Sequence, residues 1–198
     1  MTTATLVKGE DKTLTVDERR ELAAAREGLK KIHNAAKVAA FNGWSFGIAA
    51  VLSAPFSLGS LAGVLLTLGL AIVSYNEFRG RRRLLQFDPS AASMLGWNQL
   101  FLLVMVVGYC AWMLFAGLVG DNSIAAQLEA QPELRQALGS LDDVEGLYQM
   151  LVIALYGSVT VACVLFQGLN ALYYFTRRKY VEAYVQDTPE WLLEVQRD

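Results

Sequence analysis

The sequence is poor in the side chains that most often carry chemistry. Its 198 residues include two cysteines and one histidine, so neither a disulfide framework nor a zinc site built from Cys and His is expected. A glycine-rich phosphate loop, a His-Glu-x-x-His motif and a Gly-x-Ser-x-Gly motif are also missing. We therefore predict that the chain is not an enzyme and that it binds no cofactor and no metal.

Charged residues are missing from four long stretches, although they make up 18% of the chain. The uncharged stretches lie at 38–54, 57–76, 97–119 and 148–175, and a helix of about 20 residues can cross the hydrocarbon core of a bilayer. The chain is 54% hydrophobic with a mean hydropathy of +0.33, above the usual mix of soluble domains. The predicted fold class is all-α, a polytopic membrane protein with four transmembrane helices arranged as two antiparallel hairpins.

Proline is scarce as well, with four in the chain, and its positions predict helix ends. Pro55 is expected to end the first span, so that the second span follows after a tight turn. Asp88 before Pro89 predicts a helix start, because an aspartate accepts from the free amides of a first turn and proline fits that turn. Thr15 followed by Glu18 resembles a capping box and predicts that a cytosolic helix begins there.

These signals divide the chain into segments that alternate between polar and apolar composition. Short helices are expected in the acidic outer loop and in the C-terminal tail. In chain order the predicted segments are a disordered tail at 1–14, a cytosolic amphipathic helix at 15–37, a first transmembrane hairpin at 38–76 with spans at 38–54 and 57–76, a basic cytosolic loop and helix start at 77–96, a third span at 97–119, an acidic non-cytosolic loop at 120–147, a fourth span at 148–175, and a cytosolic tail at 176–198 with a short interfacial helix.

The amphipathic helix carries a narrow apolar stripe that needs a partner. Between Leu22 and Ala39, apolar residues recur at alternating spacings of three and four, which places them on one helix face. The first interpretation is that the stripe packs on the protein's own cytosolic parts. A coiled coil between subunits and a position on the membrane surface are the alternatives.

Basic residues are distributed very unevenly over the predicted segments. Of the 17 lysines and arginines, eight lie in residues 1–37, four in 77–96, four in 173–198 and one in the long outer loop. By the positive-inside rule the three basic segments are cytosolic, so both termini are predicted to lie in the cytosol. A bacterial inner membrane is the default localisation, because no eukaryotic targeting motif is present.

Glycines recur one helical turn apart in both spans of the first hairpin. Gly43 and Gly47 lie in the first span, and Gly59 and Gly63 lie at the start of the second. Small residues at this spacing let helix backbones approach closely within a membrane. We interpret these four glycines as helix-packing positions within the hairpin, with oligomerisation as the alternative.

The apolar stretches contain a few uncharged polar residues, whose first interpretation is hydrogen bonding between helices. In the fourth span, Thr160, Gln167 and Asn170 stand at spacings of seven and three and therefore share one helix face. A more specific interpretation is that these residues form a polar seam, which lines either a pore or a lipid headgroup site. For a pore, several subunits would each contribute one copy of the seam. The absence of ionisable residues from all four stretches weighs against ion-coupled transport.

A cluster of arginines, Arg79, Arg81, Arg82 and Arg83, follows the second span. Guanidinium groups at this position suit contacts with anionic lipid headgroups, and the same charges are expected of any short cytosolic loop. Glu77 precedes the cluster, and a salt bridge to Arg81 one turn away would explain it without a function. Nucleic acid is not an expected partner, because these charges lie against the membrane.

Two functions are compatible with these features. The first is a small integral membrane scaffold or accessory subunit, which forms oligomers and acts through protein–protein and lipid contacts. It rests on the exposed apolar stripes and on the missing catalytic and ion-coupling groups. The alternative is a small homo-oligomeric channel or passive carrier lined by the polar face of the fourth span. Membrane lipids, further copies of the chain and another membrane protein are the expected partners.

Overall fold

The computed structural model describes residues 16–119, 141–190 and 193. The predicted tail at 1–14, the cap at Thr15, the short helices of the acidic loop and most of the short helix after Pro189 lie outside these residues. The described residues form long α-helices and contain no strand. In chain order the helices are α1 (Val16–Ser57), α2 (Leu61–Leu85), α3 (Pro89–Val119) and α4 (Leu141–Asp187).

All four helices are long and apolar enough to cross a membrane, which identifies an all-helical integral membrane protein. α1 has 42 residues and α4 has 47, so their lengths are about 63 and 70 Å at 1.5 Å per residue. The hydrocarbon core of a bilayer is about 30 Å thick. A large part of α1 and of α4 therefore lies outside the hydrocarbon.

The helices continue beyond the ends of the uncharged stretches. α2 runs to Leu85 and α3 begins at Pro89, so most of the segment at 77–96, predicted as a basic loop and helix start, is helical. α4 also runs on to Asp187. Arginine and leucine are good helix formers, and no proline interrupts either extension. α1 likewise continues through Pro55 to Ser57. Because Pro55 has no N–H, one carbonyl of the preceding turn lacks its helical hydrogen bond. This loss is tolerated near a helix end, where the last carbonyls have no helical partner in any case.

The connection between α2 and α3 is a tightly bonded turn of three residues. The N–H of Phe87 donates to the carbonyl of Leu84 at 3.0 Å, and the N–H of Asp88 donates to that of Arg83 at 3.1 Å. This pair of hydrogen bonds is typical of a helix C-terminus that is followed by a residue in the left-handed backbone conformation. That position is usually occupied by glycine. That residue here is Phe87, with φ 59°. Its buried ring packs against the ring of Tyr184, which holds the unfavourable backbone conformation in place.

Helix α3 begins at Pro89, which confirms the start predicted from the Asp88–Pro89 pair. Asp88 Oδ1 accepts from the backbone N–H of Ser90 at 2.9 Å and from its hydroxyl at 2.7 Å. Asp88 Oδ2 pairs with the Arg83 guanidinium at 2.7 Å. The turn is thus capped on the α3 side and tied back to α2 by one side chain.

The main hydrophobic core lies at the end of the bundle that holds this turn. Ile32, Ala36 and Ala39 of α1 are buried there, and Leu29 packs against them. Their neighbours come from the α2–α3 turn, the start of α3 and the last part of α4. The apolar stripe of the amphipathic helix therefore packs on the protein's own chain, as the first interpretation predicted, and it is not a free surface for a coiled coil.

Away from this core, each helix is packed mainly against its neighbour in sequence. α1 lies along α2 and α3 lies along α4, with fewer contacts between α2 and α3 and between α1 and α4. In the most apolar part of each helix, 33% of residues are buried in α1 and 22% in α2, against 11% in α3 and 6% in α4. The outer faces of α3 and α4 are therefore the least covered apolar surfaces of the described chain.

Candidate functional site

A buried carboxylate, Glu77, lies where the four helices meet. It is 0% exposed. Its Oε1 accepts hydrogen bonds from Asn98 Nδ2 at 2.9 Å and from Gln99 Nε2 at 2.8 Å, both on α3. Its Oε2 accepts from the hydroxyl of Tyr174 on α4 at 3.1 Å. Both carboxylate oxygens thus face hydrogen-bond donors.

The partners of Glu77 are themselves held by further hydrogen bonds. The Tyr174 hydroxyl accepts from Asn42 Nδ2 on α1 at 3.3 Å. Asn98 Nδ2 also donates to the carbonyl of Val73 at 3.1 Å, and Asn98 Oδ1 accepts from Asn76 Nδ2 at 3.2 Å. Side chains from α1, α2, α3 and α4 are therefore joined through one carboxyl group. We call Asn42, Glu77, Asn98, Gln99 and Tyr174 the Glu77 cluster.

Two features of the cluster are unusual for a membrane bundle. Within the described part of the chain, Glu77 has no basic side chain within ion-pairing distance, and its bonds go to amides and a phenol. Arg81 is exposed, so the interpretation of Glu77 as half of a salt bridge with Arg81 is wrong. In addition, Gln99 Oε1 is buried without a hydrogen-bond partner. Unpaired buried polar groups are rare in proteins because they lose their bonds to water.

Close helix contacts place the residues of the cluster. A Cβ at Gly80, three residues after Glu77, would come within 2.5 Å of the Leu95 side chain. Only a glycine lets α3 approach α2 this closely, and that approach brings Asn98 and Gln99 to the carboxylate. Asn98 and Gln99 are among the uncharged polar residues of the apolar stretches, for which the sequence predicts hydrogen bonds between helices, whereas Glu77 was interpreted as a salt-bridge partner of Arg81.

The predicted polar seam of the fourth span faces into the bundle. Thr160, Gln167 and Asn170 are half-buried, whereas Val161 and Leu169 beside them are exposed. The Thr160 hydroxyl donates to the carbonyl of Tyr156 in the previous turn at 2.8 Å. Gln167 Oε1 is buried without a hydrogen-bond partner. These three residues do not contribute to the Glu77 cluster.

The arginines differ in their surroundings. Arg79, Arg81 and Arg82 are exposed on the last turns of α2, where their guanidinium groups are accessible. Arg83 donates to Asp88 through Nε at 2.9 Å and to the Ser90 hydroxyl through a terminal nitrogen at 2.8 Å. The Arg83 guanidinium is therefore engaged in the α2–α3 turn, and three of the four predicted lipid-binding arginines are left exposed.

The predicted helix-packing glycines also separate into two groups. A Cβ at Gly43 would lie 3.1 Å from the Phe78 ring, and one at Gly47 would lie 3.0 Å from the Ser74 hydroxyl, so both glycines face α2. Ser74 in turn donates to the carbonyl of Gly43 at 2.7 Å. By contrast, Gly59 lies in the turn after α1 with open space around it. A Cβ at Gly63 would lie 2.9 Å from the Ser60 hydroxyl and 3.1 Å from the Cα of Ser57 at the end of α1.

The chemistry available to this arrangement is narrow. Among the described residues, no three His, Cys, Asp or Glu side chains come together as a metal site. The cluster offers one carboxyl group, three side-chain amides and one phenol, which can hold helices together and can hold a proton. No family model matches the chain, and no curated protein or solved structure matches it either.

Proposed function

We propose that this protein is a small integral membrane scaffold or accessory subunit. Its four helices cross the membrane as two antiparallel hairpins, with both termini in the cytosol and a bacterial inner membrane as the default location. It acts through contacts with lipids and with other membrane helices, and it assembles with copies of itself. The exposed Arg79, Arg81 and Arg82 would contact anionic headgroups at the cytosolic face.

The supporting observation is the outer face of α4. Only 6% of its most apolar part is buried within the chain. Exposure to lipid alone does not require a protein partner, because lipid tails are as apolar as leucine. This face, however, carries Ala154, Ser158 and Ala162, which are exposed and one turn apart. Small residues in this arrangement permit close approach of a second helix, so we assign the face to contacts between subunits.

The apolar stripe of the amphipathic helix does not support a contact between subunits. Its residues Ile32, Ala36 and Ala39 are buried in the protein's own core, and a packed stripe is not available to a partner. The contact surface is therefore assigned to α4, with the acidic segment at 120–147 as a second surface on sequence grounds. That segment carries six acidic residues and one arginine.

Disulfide cross-linking in native membranes tests the proposal. In a chain with Cys110→Ala and Cys163→Ala, a single cysteine is introduced as Ala162→Cys on α4 or as Val51→Cys on α1, where Val51 is 72% exposed. We expect the α4 cysteine to form a covalent dimer on mild oxidation and the α1 control to remain monomeric. The mass of the solubilised particle and any co-purifying protein are determined in parallel.

The outcomes distinguish a protein that assembles through α4 from one that remains monomeric. A dimer linked through α4, or a stable complex with another protein that protects Ala162→Cys from labelling, supports the proposal. Equal cross-linking at both positions indicates random collision. Equal cross-linking, or a monomeric particle with no partner and no cross-link, would reject it.

A homo-oligomeric channel or passive carrier is the second candidate, and Gln167 is the observation that favours it. The Gln167 amide oxygen has no partner within a single chain, and a pore formed by several copies would supply water or an ion to it. Gln167→Leu removes this oxygen with little change in volume. Loss of conductance in liposomes with the particle mass unchanged would favour the channel, and unchanged behaviour or loss of assembly would exclude it.

A further inference from the structure

We propose that the Glu77 cluster is a proton-binding site, in which Glu77 takes up and releases one proton and the Gln99 amide turns to match the state of the carboxyl group. The inference goes beyond the scaffold function and does not depend on it. The proton is exchanged with water, and no other reactant takes part. The ionised and the protonated carboxyl group each have a suitable partner within the cluster.

The first step is the charge balance around Glu77. The side chains that hydrogen-bond to it or to its direct partners are Asn42 from α1, Asn76 from its own helix α2, Asn98 and Gln99 from α3, and Tyr174 from α4. Tyr174 is the one titratable group among these five side chains, and none of them is positively charged. A buried carboxylate without a positive partner is strongly disfavoured in a membrane bundle, so a positive species should be taken up with it.

The second step is the identity of that positive species. Both oxygens of Glu77 face N–H or O–H hydrogens, whereas a metal ion needs several oxygen lone pairs directed at one point. Glu77 and Gln99 are fully buried. A proton requires no cavity and no further ligands. It can neutralise Glu77 while most of the surrounding contacts stay in place.

The third step is the amide that changes orientation. Asn98 is fixed by three hydrogen bonds, since its Nδ2 donates twice and its Oδ1 accepts once. Tyr174 is fixed by accepting from Asn42 and donating to Glu77. Gln99 makes one bond through Nε2, and its Oε1 is buried without a partner.

A half-turn of the Gln99 amide exchanges its two terminal atoms, which are about 2.3 Å apart. Oε1 then faces Glu77 and accepts a hydrogen bond from the protonated carboxyl group, which has gained an O–H donor. In the ionised state Nε2 donates instead, as observed. Proton uptake therefore reverses the direction of one hydrogen bond between α2 and α3 at the point where all four helices meet. Such a two-state contact is the physical basis of a switch.

Infrared spectroscopy of the full-length protein in nanodiscs tests the proposal. The absorption of protonated carboxyl groups is followed as the pH is lowered, with heavy water as the marker for exchangeable protons. We expect wild type to gain absorption equivalent to one carboxyl group more than Glu77→Gln. Glu145→Gln is the control, because Glu145 is exposed at the start of α4 and lies outside the Glu77 cluster.

A second variant keeps Glu77 and changes its surroundings. Tyr174→Phe removes a donor that favours the ionised carboxyl group, so the band assigned to Glu77 should appear at a pH higher by about one unit or more. The shift is readable even if Glu77→Gln does not fold. In parallel, the titration is repeated in sodium, potassium and choline salts at equal ionic strength, where it should be unchanged.

Three results would overturn the proposal. One is a spectrum in which wild type and folded Glu77→Gln gain the same absorption at every pH, since Glu77 then never changes its state. Another is an unshifted band in Tyr174→Phe. The third is a titration that depends on the alkali ion and loses this dependence in Glu77→Gln, which would make the cluster a metal-ion site.

Discussion

Asp88 holds the turn between α2 and α3 through two separate interactions. One oxygen caps α3 by accepting from Ser90, and the other pairs with Arg83. Burial opposes the charged form of Asp88, but the hydrogen bonds from Ser90 and Arg83 and the attraction of the guanidinium outweigh it. The pKa of Asp88 therefore lies below its usual value of 3.8. The ionised carboxylate stabilises the fold through contacts that the unfolded chain lacks.

We predict that Asp88→Ala lowers the free energy of unfolding by about 0.5–2 kcal/mol near neutral pH, the range for loss of a helix cap. The pKa of Asp88 is lower in the folded chain than in the unfolded chain. Its stabilisation is therefore complete above the unfolded-state pKa and is lost as the pH falls through the folded-state pKa. Thermal unfolding in detergent, followed by circular dichroism, should show the difference between variant and wild type shrinking below pH 3.8.

Asp88→Asn separates the two interactions of this side chain. Asparagine is as good a helix cap as aspartate, but it carries no charge for Arg83. A partly exposed ion pair contributes about 0.2–1 kcal/mol. Because Asp88→Asn loses this pair but keeps the cap, we expect it to lose less stability than Asp88→Ala. A loss equal to that of alanine would show that the ion pair, and not the cap, holds the turn.

The residues of the turn and of the cluster differ in how far the sequence predicts them. The Asp88–Pro89 pair predicts the start of α3 by local chemistry alone. The left-handed residue before it could not be predicted, because Phe87 occupies a position where glycine is usual and is held there by the core. Glu77 was missed for a similar reason. Its position next to arginines indicates an exposed side chain. Glu77 is nevertheless buried, because residues far away in sequence supply the hydrogen-bond donors for its carboxylate.

At the scale of helices, the contact between α2 and α3 depends on Gly80. A Cβ at this position would come within 2.5 Å of the Leu95 side chain, which is fully buried. We predict that Gly80→Ala lowers the free energy of unfolding by about 1–3 kcal/mol through overpacking. The measurement is the midpoint of unfolding of the solubilised protein in a denaturing detergent.

Gly108→Ala in α3 is the matched control for Gly80→Ala. No atom lies within 4 Å of a Cβ at this position, and alanine favours a helix by up to about 1 kcal/mol over glycine. The control should therefore be neutral or more stable than wild type. If both variants lose stability equally, close packing at Gly80 is not the cause.

The existence of the helices could be predicted from the sequence, but their ends could not. An uncharged run of sufficient length is itself a physical requirement for crossing a membrane, so each run predicts one helix. The end of a helix does not depend on where hydrocarbon ends. α2 continues to Leu85 because its last turns pack on α3, and α4 continues to Asp187 because its last part packs on α1.

At the scale of the whole molecule, the core lies at one end and the apolar surface at the other. The buried core joins the first part of α1, the α2–α3 turn and the last part of α4. The Glu77 cluster lies next to this core, since Tyr174 belongs to both. This compact end thus holds together four helices that are elsewhere packed mainly in pairs, and any change at Glu77 acts on the junction between these two regions.

This arrangement predicts that both ends of α4 are in water on opposite sides of the membrane. Gly146 and Gln186 are exposed and are separated by 40 residues of α4, about 60 Å along a helix. Because 16 of 17 basic residues lie in the segments predicted as cytosolic, the end with Gln186 should face the cytosol. The test uses Gly146→Cys and Gln186→Cys in a chain with Cys110→Ala and Cys163→Ala.

A membrane-impermeant maleimide should label Gly146→Cys in intact cells and Gln186→Cys only after the cells are opened. The reverse pattern would show that the positive end faces outward, and the cytosolic assignment of the termini would then be wrong. Labelling of both positions in intact cells would mean that α4 does not cross the membrane. In that case the apolar face of α4 would require a protein partner, because lipid tails would not surround this helix.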